Sequence, residues 1–172
     1  MIKSQKLTGG QAAVKSLKKE HVKHVFGLIG SATMEMFDAL YHEKKIKFID
    51  VRDERTGTHM ADGYARASNQ PGVIIAGQNG PGATNLVTGL AQAKAAFSPV
   101  VSLAGLYSTK DNMEDAFQGL DQQSLFEPVT KKTITLRNSK NIPNAISDGF
   151  NIAMSPRSCL LYTSPSPRDG TK

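Results

Sequence analysis

The chain has 172 residues, 39% of them hydrophobic, and a formal net charge of +6. This length suits one domain with a buried core, and no apolar run approaches the roughly 20 residues that span a bilayer, so we expect no membrane partner. The charge comes mainly from lysines on predicted helix surfaces, without the interleaved aromatic residues of a nucleic-acid surface, so we expect no nucleic-acid partner.

In chain order, apolar runs and amphipathic stretches alternate and predict strands and helices joined by short loops. The predicted helices cover residues 8–20, 31–43, 54–68, 80–96 and 142–155, and the predicted strands cover residues 24–30, 46–51, 72–77, 99–105 and 131–137. Thr8 is the expected N-cap of the first helix, and Ser31 or Thr33 that of the second. The second helix is also expected to turn Met34, Phe37, Ala39, Leu40 and Tyr41 toward the core. This alternation predicts an α/β fold, a parallel sheet of about five to six strands with helices on both faces.

Charged residues stand where the second predicted strand meets the third predicted helix, in the stretch VRDERTGTHM. Asp53 suits the N-cap position, because a short carboxylate accepts hydrogen bonds from the free N–H groups of a first helical turn. Glu54 is then either a favourable charge in that turn or a functional group. The surroundings of Glu54 in the fold distinguish these two interpretations.

Ligands of an open parallel sheet bind beyond the carboxyl ends of its strands. Segments that carry glycine or charge follow several of the predicted strands, at residues 27–31, 52–54, 77–85 and 105–118. We therefore expect these segments, and Glu54 with them, to share one edge of the sheet.

The helix that follows Glu54 contains Gly57 and Gly63, and a glycine costs roughly 1 kcal/mol relative to alanine inside a helix. Such a cost is tolerated where another group approaches closely, which predicts tight packing either on the helix's own sheet or on a second subunit. His59 lies in the same helix, but no other histidine, cysteine or carboxylate has metal-site spacing with it. We therefore predict no metal site in this chain.

A glycine-rich stretch, GQNGPGATN at residues 77–85, lies between the third strand and the fourth helix. It matches neither G-x-G-x-x-G nor a P-loop, which counts against a nucleotide-binding oxidoreductase domain. A phosphate cradle at the helix N-terminus is one physical option. The other is a stiff loop, with Pro81 fixing one φ angle and Gly80 and Gly82 lacking side chains, that brings backbone close to a flat ligand or another chain.

The composition of the chain changes at its end, in the proline- and serine-rich stretch SCLLYTSPSPRDGTK. We divide the chain into a domain over residues 1–157 and an irregular tail over residues 158–172, which is either a flexible extension or non-native sequence from a linker, an adapter or a frame error. The tail holds the one cysteine, Cys159, and residues 1–11 lack the apolar segment of a signal peptide. We therefore expect a cytoplasmic protein.

Several stretches occur in the same order and spacing in one known group of enzymes: VFGLIGSA, DERTGTHMADGYARAS, GQNGPGATN, SPVVSLAG and DAFQGLDQQSLFEPVTK. Over residues 5–157 the chain resembles the N-terminal pyrimidine-binding domain of thiamine diphosphate-dependent enzymes of the acetolactate synthase type. The IGSA and QNGPG variants are also similar to sulfoacetaldehyde acetyltransferase. The resemblance implies an enzyme that makes or breaks C–C bonds next to a carbonyl, by decarboxylating a 2-oxo acid and transferring the product to a second carbonyl.

The resemblance also implies roles for individual residues. Glu54 is the implied catalytic group, which hydrogen-bonds the N1′ nitrogen of the cofactor's aminopyrimidine and so helps to activate the thiazolium C2 position. The other implied cofactor-binding residues are Gly30, Ser31, Gly80, Pro81, Gly82 and Asn85. Phe117 and Gln118 are implied to line the substrate pocket.

The sequence departs from the family pattern near these residues. Arg55 and Thr56 follow Glu54 where the family has Gln-Gly, and Gly119 replaces the glutamate of Phe-Gln-Glu. The family's Pro-Gly-Gly turn is Ile-Gly-Ser in this chain. These departures leave cofactor activation intact and leave the substrates open, so a sulfoacetaldehyde acetyltransferase-like enzyme or a 2-oxo acid decarboxylase is an alternative.

Finally, the resemblance implies parts that this chain does not contain. A C-terminal domain would bind the diphosphate of the cofactor and Mg²⁺, and FAD is a further option through a central domain. Because the family's active site forms between domains of two subunits, a homo-oligomer is expected and the 172 residues alone are expected to be inactive. An inactive stand-alone binding module is the remaining alternative.

Overall fold

The computed structural model describes residues 7–108, 116–155 and 160–164. The helices are α1 (Gly9–Lys19), α2 (Met34–His42), α3 (Glu54–Ser68), α4 (Pro81–Ala95), α5 (Gln122–Phe126) and α6 (Ile142–Met154). The strands are β1 (His24–Gly27), β2 (Lys47–Asp50), β3 (Gly72–Ile75), β4 (Val100–Gly105), β5 (Lys132–Thr135) and β6 (Leu160–Ser164). In this part of the chain, every helix is too short or too polar to cross a membrane.

The strands form one sheet in the order β2-β1-β3-β4-β6-β5, and every neighbouring pair is parallel. Successive residues of a strand point to opposite faces, so Val73 and Ile75 of β3 pack with α1, α2 and α6, whereas Ile74 packs with α3, α4 and α5. Helices therefore cover both faces of the sheet. The predicted α/β fold, with a parallel sheet of five to six strands, is confirmed.

Two predicted helix caps are found. Thr8 and Gln11 form a capping box at α1, with the Gln11 N–H donating to Thr8 Oγ1 at 3.2 Å and the Thr8 N–H donating to Gln11 Oε1 at 3.1 Å. Asp53 caps α3, because its Oδ1 accepts the Arg55 N–H at 2.8 Å. Short polar side chains at these positions satisfy N–H groups that have no partner inside the helix.

The prediction of Ser31 or Thr33 as the N-cap of α2 is right in position only, because Thr33 occupies the N-cap position but makes no capping hydrogen bond. Ser31 begins a short 3₁₀ turn, and neither its side chain nor that of Thr33 caps the helix. The Thr33 Oγ1 donates instead to the Ala76 carbonyl at 2.7 Å, and the Ser31 Oγ donates to Gln78 Oε1 at 3.1 Å. Both hydroxyls therefore tie this turn to the loop after β3.

The predicted core face of α2 is also wrong in part, because Met34 is 48% exposed and Tyr41 is 77% exposed. The buried residues of this helix are Met36, Phe37 and Leu40. Phe37 and Leu40 are therefore buried as predicted, whereas Met34 and Tyr41 lie on the solvent side and Met36 takes part in the core instead.

The structure also contains two elements that were not predicted, α5 and β6. Strand β6 lies between β4 and β5, where the run LLYTS supplies the apolar, aromatic and β-branched residues that favour strands. The prediction of an irregular tail is therefore wrong for residues 160–164. Residues 158–159 and 165–172 lie outside the described residues, and the domain boundary and a non-native origin of the tail stay predictions.

Candidate functional site

The loops that follow the strands meet at one edge of the sheet. A Cβ atom added to Gly30, after β1, would lie 2.3 Å from the carbonyl oxygen of Gly77, after β3. A Cβ atom on Gly80 would lie 2.7 Å from the carbonyl oxygen of Gln118. The segments after β1 and β3 and the described end of the segment after β4 therefore share one edge of the sheet, as predicted.

Glu54 lies at this edge as the first residue of α3, and it is only 3% exposed. Its Oε1 accepts the backbone N–H of Gly77 at 3.1 Å, and its Oε2 accepts the Asn85 Nδ2–H at 3.1 Å. A Cβ atom on Gly82 would lie 2.8 Å from Oε1. The loop from Gly77 to Asn85 thus encloses the carboxylate from several sides.

These contacts distinguish between the two interpretations of Glu54. Asp53 already caps α3, and the Glu54 carboxylate points away from solvent into the edge of the sheet. Both of its donors are uncharged, so hydrogen bonds rather than an ion pair offset part of the cost of burying it. Glu54 is therefore a buried group with a specific environment and not a solvent-exposed charge of the first turn.

The same contacts argue against a phosphate cradle at the N-terminus of α4. The Gly77 N–H is already used by Glu54, and the carboxylate lies against Gly82 in the first turn of α4. A negative charge at that position would repel a phosphate. The loop is better described as a stiff turn, in which Pro81 occupies the start of the helix and Gly82 makes room for a neighbouring side chain.

The structure brings Gln118 to the site but leaves the side chain of Phe117 in solvent. Gln118 has a φ of 58°, in the left-handed region, and its Oε1 is buried without a hydrogen-bond partner among the described residues. Phe117 is 84% exposed. Their proposed role in a substrate pocket stays a prediction, because the described residues leave the Phe117 ring uncovered.

Sequence reasoning missed a buried amide that joins this edge together. Gln122 is 2% exposed, and its Nε2 donates to the carbonyls of Asn79 and Gly105, each at 2.7 Å. Asp121 caps the short helix that carries it, and hydrogen bonds from the side chain and backbone of Ser124 lower the pKa of Asp121. The one available signal was an aspartate before a short amphipathic run, which predicts a helix start but not the burial of the next residue.

The two glycines inside α3 have different surroundings. A Cβ atom on Gly57 would lie 2.6 Å from Ile74 Cδ1 of the sheet, whereas one on Gly63 would have nothing within 4 Å. Gly57 therefore packs on the helix's own sheet, as one alternative predicted, and Gly63 faces outward. We call one set of exposed residues on α3 and α4 the α3–α4 outer face: Thr56, His59, Met60, Gly63, Ala67, Thr84, Thr88, Ala91 and Ala95. Arg55 and Arg66 of α3 are exposed as well and are not counted in this set.

The described residues contain no cluster of metal-binding side chains. Within residues 7–108 and 116–155, no group of three or more histidine, cysteine, aspartate or glutamate side chains could hold a metal ion. His59 is exposed on the α3–α4 outer face and has no such group around it.

Comparisons with known proteins point in one direction. The family model described as "Thiamine pyrophosphate enzyme, N-terminal TPP binding domain" matches residues 7–125. A probable acetolactate synthase large subunit of Methanocaldococcus jannaschii is 42% identical over 151 residues, which are 88% of this chain and 25% of that protein. An acetolactate synthase of Mycobacterium bovis is 39% identical over 153 residues, which are 89% of this chain and 25% of that protein.

A third relative extends the same pattern. The acetolactate synthase large subunit of Corynebacterium glutamicum is 37% identical over 153 residues, which are 89% of this chain and 24% of that protein. The chain therefore spans about a quarter of the length of the curated relatives that it matches.

Proposed function

Because this chain belongs to the thiamine pyrophosphate enzymes, as their N-terminal TPP-binding domain, we propose that it is the pyrimidine-binding part of an acetolactate synthase-like enzyme. The proposed reaction decarboxylates a 2-oxo acid and transfers the remaining fragment to a second carbonyl compound. The names of the relatives support this reaction class. The reaction itself belongs to the longer protein, since the chain spans about a quarter of those relatives.

The observation that carries the proposal is the fixed, buried carboxylate of Glu54 at the ligand edge of the sheet. A carboxylate has about four acceptor positions, and the Gly77 N–H and the Asn85 amide occupy two of them. Glu54 therefore retains an oxygen position that can hold a proton in a hydrogen bond with a ring nitrogen. These residues fit the aminopyrimidine of thiamine diphosphate, and the proposed partner of Glu54 is its N1′ nitrogen.

Each remaining part of the proposed site has a specific task. Thiamine diphosphate, when bound, supplies the electron sink that decarboxylation of a 2-oxo acid requires. Glu54 holds or moves the proton at the pyrimidine, and Asn85 orients the Glu54 carboxylate. The other proposed cofactor contacts come from the turn and loop that surround this carboxylate: Gly30, Ser31, Gly80, Pro81 and Gly82. Phe117 and Gln118 are proposed to line the pocket for the 2-oxo acid.

A second subunit is proposed to complete the site. Between Arg55 and Arg66, which are themselves exposed near the two ends of α3, the exposed residues of α3 carry no Lys, Arg, Asp or Glu side chain, and they include Met60, which is 39% exposed. Depletion of charge is typical of the core of a protein interface. We assign the α3–α4 outer face to a homo-oligomer contact, the diphosphate and Mg²⁺ to a C-terminal domain, and FAD, if it is used, to a central domain. The proposed location of the enzyme is the cytoplasm.

One contact supports a second candidate, an acetyl-transferring enzyme of the sulfoacetaldehyde acetyltransferase type. Ser31 and Gln78 belong to the two variant stretches, IGSA and QNGPG, and the Ser31 Oγ donates to Gln78 Oε1 at 3.1 Å. The two variants therefore form one local structure rather than two unrelated changes. Supplying the full-length enzyme with either a second 2-oxo acid or sulfoacetaldehyde, and identifying the products, distinguishes the two candidates.

The decisive experiment uses the full-length protein and the change Glu54→Gln. We expect the variant to bind thiamine diphosphate but to exchange the C2 proton of the cofactor about 10²–10⁴ times more slowly, the usual loss on removing acid–base help. Hydrogen–deuterium exchange followed by NMR measures this rate. Asp53→Asn is the matched control, since asparagine caps a helix as well as aspartate does and exchange should be unchanged. A near-normal exchange rate in Glu54→Gln would remove Glu54 from the mechanism.

A further inference from the structure

Gln122 joins the ends of two neighbouring strands through a buried amide. Its Nε2 donates to the carbonyl of Gly105, the last residue of β4, and to the carbonyl of Asn79, in the loop after β3, each at 2.7 Å. Asn79 lies beyond the end of β3, and Gly105 is the last residue of β4, opposite Ser164 of β6. A buried carbonyl without a partner is costly, and one primary amide satisfies both.

The contact continues from Asn79 to the turn that carries Phe117 and Gln118. The Asn79 side chain is 9% exposed, and its Nδ2 donates to the Phe117 carbonyl at 3.1 Å. The turn itself closes through the Gly119 N–H, which donates to the Ala116 carbonyl at 2.8 Å. The hydrogen bonds thus run from β4 through Gln122 and Asn79 to the Phe117 carbonyl.

These contacts hold the turn against the loop that surrounds Glu54. The carbonyl oxygen of Gln118 lies 2.7 Å from the position that a Cβ atom of Gly80 would occupy. Gln118 also has a positive φ of 58°, a conformation that is unfavourable for a residue with a side chain and needs support from its surroundings. The Asn79 contact to the preceding carbonyl supplies part of that support.

We propose that Gln122 is a positioning residue, which acts through Asn79 to hold the Phe117–Gln118 turn at a fixed place relative to the Glu54 loop. This inference rests on the proposed function, in which the turn contacts the 2-oxo acid and Glu54 contacts the cofactor. The donors to Glu54, Gly77 and Asn85, are not members of this chain of hydrogen bonds. Loss of Gln122 should therefore weaken substrate binding more than cofactor activation.

The test is Gln122→Met in the full-length enzyme, which keeps the approximate size of the side chain and removes both donors. We expect KM for the 2-oxo acid to rise about tenfold, as the loss of buried hydrogen bonds predicts. Exchange of the cofactor C2 proton should stay within about twofold of the wild type, since Glu54 keeps its donors. The matched control is Gln123→Met, its neighbour on α5, whose side chain is exposed and accepts a surface hydrogen bond from Thr135.

A second variant, Asn79→Ala, removes the contact to Phe117 and leaves Gln122 intact, so it tests the proposal even if Gln122→Met does not fold. It should also raise KM, and the double variant should raise KM less than the product of the two single effects, because both act on the same turn. An unchanged KM in folded variants, or a fall in C2 exchange as large as the rise in KM, would overturn the proposal. A failure of the proposed function is separate, because it shows as normal C2 exchange in Glu54→Gln.

Discussion

At the scale of single residues, the contact between Gly82 and Glu54 leads to the sharpest prediction. In the full-length enzyme, Gly82→Ala places a methyl group 2.8 Å from Glu54 Oε1 and so pushes the carboxylate out of position. We expect C2 proton exchange to fall by about 10²-fold, since a misplacement of about 1 Å has effects of that size. The measurement is C2 exchange in Gly82→Ala, in Glu54→Gln and in the double variant.

The double variant provides the control for this prediction. If Gly82→Ala acts only by displacing the Glu54 carboxylate, it should cost little more once Glu54 is already glutamine. Equal losses from Gly82→Ala with and without the Glu54 carboxylate would show that the alanine damages the loop itself and would contradict the prediction.

Residues near the site differ in how far the sequence reveals them. The position of Glu54 follows from a strand, a cap at Asp53 and a helix start, all of which are local signals. The place of Gln122 does not, because a glutamine in the first turn of a short helix looks like a surface residue, and only the tertiary fold buries it between two strand ends. The hydroxyl of Thr33 was misjudged for the same reason, since it bonds to Ala76 across the sheet edge rather than to its own helix.

At the scale of secondary-structure elements, α3 and α4 pack so closely that Gly89 leaves no room for a side chain, whereas Gly63 does. In this chain, Gly89→Ala would place a Cβ atom 2.5 Å from Thr58 Cβ, and Thr58 is fully buried. We expect a loss of about 1–3 kcal/mol in the free energy of unfolding, the usual cost of overpacking. Chemical denaturation measures this change.

Gly63→Ala is the matched comparison, because Gly63 also lies inside a helix but has open space where a Cβ atom would be. Relief of the helix penalty of glycine should raise the free energy of unfolding by about 0.5–1 kcal/mol. Equal effects of the two substitutions would contradict the packing of α3 on α4 that the structure shows.

The elements that the sequence predicted well have a strong local pattern: α3 has a long helical period, and β3 is a short, continuously apolar run. Helix α5 is too short for its period to be recognised, since Gln122–Phe126 is little more than one turn. Strand β6 was missed because the prolines and polar residues around LLYTS resemble a loop, and only the gap between β4 and β5 selects it as a strand.

At the scale of the whole molecule, the distribution of charge follows the architecture. The edge strands β2 and β5 carry the exposed lysines Lys47 and Lys132, and charge on an edge discourages pairing with another sheet. On α3, by contrast, the exposed charges are Arg55 and Arg66, near the two ends of the helix, and the exposed residues between them carry no Lys, Arg, Asp or Glu side chain. The middle of the face that we assign to a second subunit therefore lacks these charges, whereas the two ends of α3 carry arginine.

This contrast predicts the effect of adding a charge to each side of the molecule. In the full-length protein, Met60→Lys should lower the oligomeric mass and the activity together, because it places an unpaired charge in the proposed interface core. Tyr41→Lys is the control: Tyr41 is 77% exposed on α2, which covers the opposite face of the sheet, so mass and activity should not change. Sedimentation velocity at several protein concentrations measures the mass.

Both substitutions exchange an exposed residue and should alter folding stability by less than about 0.5 kcal/mol, so a loss of mass in Met60→Lys alone would reflect assembly. An intact oligomer in Met60→Lys would place the subunit contact elsewhere on the molecule.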